Sequence, residues 1–225
     1  MSRGRAQVLP FCYAGFAMRQ LDEAFHILSD YHDAHDLRMV PVLVDKLRDI
    51  IVARGYASSI GLHKVAYNGR NILGGVKFYD PPYAGASAGV EIYYNQALSK
   101  EWERAVACKE MCHAILDEDD DRVTNARDLI PHIQALHANI LPTSAVQSEF
   151  MAEVLAVELL MPYELRCHHI EDFSSGKVSA RELGLRYWLP PYFVSMAMTP
   201  ALFSIVEQAR PKRVDINKRR AAAAE

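Results

Sequence analysis

Residues 105–116 read AVACKEMCHAIL, and this stretch constrains the fold more than any other. Nine of its twelve residues are apolar or thiol-bearing, so a helix built from it is hydrophobic on every side and belongs inside the protein. Yet Lys109, Glu110 and His113 lie in its middle. Residues three and four apart share a helix face, so these three form one polar stripe while Ala105, Cys108, Cys112 and Ile115 line another. A second stretch, SEFMAEVLAVELLMP at 148–162, repeats the design: an apolar body with Glu149 and Glu153 four apart on one face. Buried charge is costly unless it is paired or bound to a metal. The two stripes are therefore expected to face each other across a site.

The rest of the chain is read around that pair. At 225 residues it is long enough to bury a core as one domain with a small extension. Leu21, Ala24, Phe25, Leu28 and Tyr31 fall at helical spacing and predict a helix over 17–36; a second is expected over 41–54, with Pro41 in its first turn and Gly55 ending it. The period then changes. Short β-branched and aromatic runs broken by Asn-Gly, Gly-Gly and Pro-Pro pairs predict three strands at 62–67, 71–79 and 89–94. Helical patterns return over 100–116, 126–141, from Ser144 to Pro162, 178–187 and 198–209. Ser144 and Gln147 have capping-box spacing, and the acidic run at 117–121 reads as a loop because acids at a helix C-terminus oppose its dipole. Helices, then a sheet, then helices make an α+β fold: a small mixed sheet of about three strands packed against the two apolar helices, with a helical C-terminal segment. The expected organisation is a helical extension over 1–39, one domain over 40–210, and a basic, alanine-rich tail over 211–225.

Composition excludes several functions. A net charge of −3 gives no electrostatic case for nucleic acid as a direct ligand. No run of about 18 apolar residues occurs, so no membrane partner is expected. Cys12, Cys108, Cys112 and Cys167 follow no secretory leader and read as reduced thiols of a cytoplasmic protein. His32 and His35 lack a second ligand segment, the acidic run lacks a calcium loop's glycine and spacing, and no phosphate-loop helix follows Gly74 and Gly75.

The ordered pattern of ExxH on one helix, then ExxA and ELLMP on a later one, resembles the ImmA/IrrE family of zinc-dependent peptidases. The resemblance spans roughly 40–200, including the lead-in VEIYYNQALSKEWERAVACKEMCHAIL and the closing ARELGLRYWLPPYFVSMAM. It implies that Glu110 corresponds to the general base of the family's HExxH motif, His113 to its second histidine ligand, and Glu149 to the downstream glutamate ligand. Glu153 falls where the family usually has asparagine. Two imidazoles one turn apart and a carboxylate supply three zinc ligands and leave a fourth position for water, whose proton the neighbouring glutamate takes.

The chain departs from that pattern at Lys109, which stands in place of the first histidine. An ammonium has three donors and no acceptor, and nearby carboxylates hold it in the charged form. Lys109 is thus expected to pair with Glu149 or Glu153 where the relatives hold a metal. No cofactor is expected, and zinc only if the site is functional. The leading expectation is a non-catalytic peptidase-fold protein that binds a protein partner, such as a transcriptional repressor, or a ligand in stress-response or mobile-element regulation. The first alternative is an active zinc endopeptidase that cleaves a regulatory protein, with another ligand such as His168 or His169 in play. The second is a DNA-associated regulator using the helices at 178–209.

Overall fold

A computed structural model describes residues 11–34, 41–67, 73–79, 87–116 and 144–209. The expected loop at 117–121, helix at 126–141 and tail at 211–225 lie outside the described residues, as do the side chains of the expected cap at Ser144 and Gln147. Three strands, β1 (Ser59–Val65), β2 (Gly74–Tyr79) and β3 (Gly89–Asn95), form a mixed sheet in the order β1-β3-β2. β3 is central, parallel to β1 with Ser59 opposite Gly89, and antiparallel to β2 with Gly74 opposite Tyr94. β1 begins three residues before the predicted 62, because pairing with β3 recruits Ser59, Ile60 and Gly61 into the ladder although they carry little strand pattern of their own.

Helices α1 (Phe11–Ala34) and α2 (Val44–Ala53) precede the sheet, and α3 (Lys100–Leu116) and α4 (Ser144–Leu160) follow it. α2 starts later than predicted: Leu43 is extended, and its N–H donates to the Tyr31 hydroxyl at 2.9 Å, which ties the entry of α2 to α1. Gly55 ends α2 at φ +81°, a conformation that only glycine adopts cheaply.

α3 lies across β2 and β3, and α4 packs along α3 with α1 on its other side. Both helices are buried on nearly every face, as their uninterrupted apolar girth requires. Met111, Cys108 and Cys112 of α3 meet Ala152, Leu155, Ala156 and Leu159 of α4 in one core, which Ile60, Val90 and Ile92 continue through the sheet. Gly74 permits the close approach of β2 to α3, since a Cβ there would collide with Val106 and stand 3.5 Å from Glu110 Cγ.

The C-terminal segment holds α5 (Tyr163–Cys167), α6 (Ile170–Ser174), α7 (Ala180–Tyr187), α8 (Pro191–Ala197) and α9 (200–209). α7 carries a capping box made by Ser179 and Glu182. The region predicted as one helix over 198–209 is preceded by α8, started by Pro191 at its first turn. Between Pro162 and Val178, where no helix is expected from sequence, the chain forms α5 and α6, each five residues long. Among the described residues, no helix is long and apolar enough to cross a membrane.

Candidate functional site

The α3–α4 contact builds the site. Lys109, Glu110 and His113 rise from the middle of α3, and Ser148 and Glu149 descend from the first turns of α4. Glu110 and His113 are only 5% and 4% exposed, and the Lys109 side chain is 17% exposed. The Glu149 side chain is 60% exposed, so the site opens to solvent on its α4 side.

Glu149 is the hub. Its Oε2 lies 2.5 Å from Lys109 Nζ, and its Oε1 lies 3.3 Å from His113 Nε2. Lys109 also donates to Glu110 Oε1 at 3.1 Å. The ammonium therefore bridges the two carboxylates that the family resemblance assigns to metal ligation and to proton transfer. On the far side of the imidazole, Nδ1 meets Ser148 Oγ at 3.2 Å. A hydroxyl both donates and accepts, so Ser148 can hold this ring nitrogen in either tautomer. Ser148 was not singled out from sequence. Its only signal there is its place beside Glu149.

The charges follow from this geometry. Burial pulls the Lys109 pKa down, but Glu110 and Glu149 more than offset that, and it stands above the ordinary lysine value. For Glu149, burial acts upward, yet the His113 hydrogen bond and the Lys109 charge outweigh it and hold the carboxyl at about 2. Glu153 is half-buried one turn along α4; burial raises its pKa first, Lys109 works against that, and the charge of Glu149 adds to it. The ion pairs of Lys109 thus run to Glu149 and Glu110, while Glu153 feels the same ammonium through the field. Tyr67 and Tyr192 border the site: the Tyr67 hydroxyl is raised by burial and then by Glu110, and that of Tyr192 chiefly by Glu153.

Other side chains weighed from sequence are engaged elsewhere. Cys108 and Cys112 are free thiols wholly buried in the core, where burial and then a hydrogen bond with Cys108 push the Cys112 thiol up. His169 shares a 2.6 Å hydrogen bond with the Tyr187 hydroxyl and joins α6 to α7. The glutamate of the ELLMP motif, Glu158, is structural. It pairs with Arg166, which is fully buried, and accepts from Tyr163 N–H at 3.0 Å, capping α5. Arg166 also donates to the Ala197 carbonyl at 3.0 Å, which fixes α8 beneath α4.

A helix carrying ExxH against a small mixed sheet, with the carboxylates of a second buried helix set opposite, is the scaffold of a metallopeptidase-type α+β domain. Residues 75–172 match the family model of the IrrE N-terminal-like domain, so this stretch, which holds β3, α3, α4 and the site between them, is similar to the ImmA/IrrE peptidase family. A comparison with curated proteins found no match.

The relatives' zinc sets a test for the residues present. A zinc centre of this type takes three protein ligands and a water. Here His113 and Glu149 are the two donors of the right chemistry, and the third corner holds an ammonium with no lone pair to give. Among the described residues, no group of three His, Cys, Asp or Glu side chains has the arrangement of a metal site. The side chains as they stand do not fit the ion.

Proposed function

We propose that this protein is a non-catalytic member of the peptidase family, which keeps the scaffold and acts in cytoplasmic regulation by binding a protein partner, of the kind the relatives would cleave. One observation carries this reading: Lys109 holds both Glu149 and Glu110. Hydrolysis in this fold needs a carboxylate free to take a proton from an activated water. Glu110 instead accepts a hydrogen bond from Lys109, is almost wholly buried, and has α3 and β2 packed around it. The ammonium beside that base offers only donors, so it has no coordination site at which to hold and polarise a water as a Lewis acid does. The surface left for a partner lies on the open side, at Glu149, Glu153 and Tyr192.

The test is cleavage itself. The purified chain, with and without added zinc, is incubated with a proteome-derived peptide library, and new N-termini are labelled and counted by mass spectrometry. No new termini are expected above those of a Glu110→Gln control. Zinc-dependent termini made by the wild type and absent with Glu110→Gln would establish the endopeptidase instead.

A further inference from the structure

We propose that the turn between α7 and α8, with the first half of α3 beside it, is a docking surface for a protein segment that carries a carboxylate among large apolar side chains. Trp188 is its anchor, and Arg104 is the partner of the carboxylate. This rests on the reading of the chain as one that binds a protein, and deepens it.

Three observations carry it. The first is a guanidinium without a counter-ion. Arg104 is half-buried, and two of its five N–H donors go to backbone carbonyls, Nε to Trp188 at 3.1 Å and Nη2 to Val42 at 2.9 Å. Among the described residues it has no ion pair, whereas Arg166, the other arginine taken into the fold, has Glu158. Burial lowers the Arg104 pKa, and the groups that act against this are Cys108 and Tyr31, neither of them a carboxylate. A charge partly withdrawn from water is costly until an opposite charge meets it. The remaining N–H donors are free to take a carboxylate.

The second is the backbone at Trp188. It closes α7 at φ +54° and ψ +50°, the left-handed region that a helix end usually gives to glycine. Among the described residues, no other non-glycine residue has a positive φ. The indole gains little burial in return: Trp188 is 57% exposed, and Leu185, one turn before it, 65%. Glycine would suit the fold at this position, and tryptophan suits a contact made outside it.

The third is rigidity. Pro190 and Pro191 follow Trp188, and Leu189 and Phe193 are buried, so the turn is fixed. Tyr192, also exposed, lies nearly parallel to Trp102 with ring centroids 6.4 Å apart. The bond from Arg104 to Val42 brings the exposed Leu43 to the same place. Exposed tryptophan and tyrosine around an arginine are the residue types that dominate binding at protein interfaces, and a surface fixed beforehand loses little freedom on binding. A second copy of the chain fits this surface poorly, because a two-fold contact sets Arg104 against Arg104.

The experiment selects a phage library of random peptides on the full chain. Enriched peptides are resynthesised with a fluorophore and titrated by anisotropy against wild type, Trp188→Gly, Arg104→Gln, Glu149→Gln and Tyr79→Ser. The peptides are expected to share an acidic residue flanked by apolar ones. Trp188→Gly should weaken binding about 30-fold or more, yet keep or raise the thermal midpoint, since glycine adopts the left-handed turn cheaply. Changing the peptide's shared acid to its amide should weaken binding to wild type about 10-fold, and should have no further effect on a folded Arg104→Gln chain. Tyr79→Ser removes an exposed aromatic of the sheet and should bind as wild type does. A drop of several degrees in the Trp188→Gly midpoint would place the indole in the fold and overturn the inference. So would peptides that share no acid, an equal loss with Tyr79→Ser, no peptide that depends on Trp188, or a dimer of the peptide-free chain that Trp188→Gly abolishes. Peptides insensitive to Trp188→Gly and weakened by Glu149→Gln overturn it too, while leaving the partner-binding reading standing. Peptide cleavage by the wild type removes only the non-catalytic reading.

Discussion

Replacing Lys109 with methionine keeps the length and apolar stem of the side chain and removes only its charge. The cost can be worked out from the two carboxylates it leaves behind. Removing one partner of a fully buried ion pair costs about 3–5 kcal/mol, because the remaining charge is stranded. That figure is too large here, since Glu149 is 60% exposed and water takes over most of the ammonium's work on it. Its share falls to roughly 0.2–1 kcal/mol, the range of exposed pairs. Glu110 is different: it is 5% exposed, and the Lys109 bond at 3.1 Å is its ion pair. Leaving a buried polar group without its partner costs about 1–3 kcal/mol. The sum is about 1–4 kcal/mol. For a chain of this size that corresponds to a fall in thermal midpoint of about 2–16 °C. The assay is urea and thermal unfolding of wild type, Lys109→Met, Glu149→Gln and the double variant at neutral pH. The double-variant cycle should return about 0.2–1 kcal/mol of coupling between Lys109 and Glu149, much less than the whole effect of Lys109→Met. A Lys109→Met chain within about 0.5 kcal/mol of wild type, the size of an ordinary surface change, would refute the bridge and place the ammonium in solvent.

Three further outcomes follow from the geometry. The Glu149 carboxyl lies at about 2 in the folded state, below its ordinary 4.5; its contribution is therefore complete above pH 4.5 and lost as pH falls toward 2. Solvent exposure keeps this near ~1 kcal/mol, and denaturation curves at pH 6 and pH 3 should show Glu149→Gln losing less stability on acidification than wild type. Arg166→Met strands the buried Glu158 and should cost about 3–5 kcal/mol, with a large part recovered when Glu158 is also made apolar; a loss under about 1 kcal/mol by chemical denaturation would show that this pair does not hold α5 and α8. Gly74→Ala forces β2 away from Val106 and should lower stability by about 1–3 kcal/mol, read as a fall in thermal midpoint.

Local properties of the chain told as much as local properties can. The apolar girth of 105–116 and 148–162 is written in consecutive residues, so both buried helices and the polar stripe on each were legible without a structure. The alternation of β-branched and aromatic residues marked three strands, and the family motif marked Glu110, His113 and Glu149. Tertiary contact decided the rest. The start of β1 depends on its parallel partner, which lies about thirty residues away. α5, α6 and α8 are only five to seven residues long, too short for a hydrophobic period to declare itself, and they exist because packing holds them. Glu158 and Arg166 lie eight apart with no periodic signature, and only the crossing of α4, α5 and α8 makes them a buried pair. In the site, sequence could say that Lys109 would find a carboxylate. The relative placement of α3 and α4 selected Glu149 over Glu153, left that carboxylate open to water, and set Ser148 behind the imidazole. A charge's partner is settled by distances of a few ångströms between segments, and those distances are properties of the packed core rather than of either helix alone.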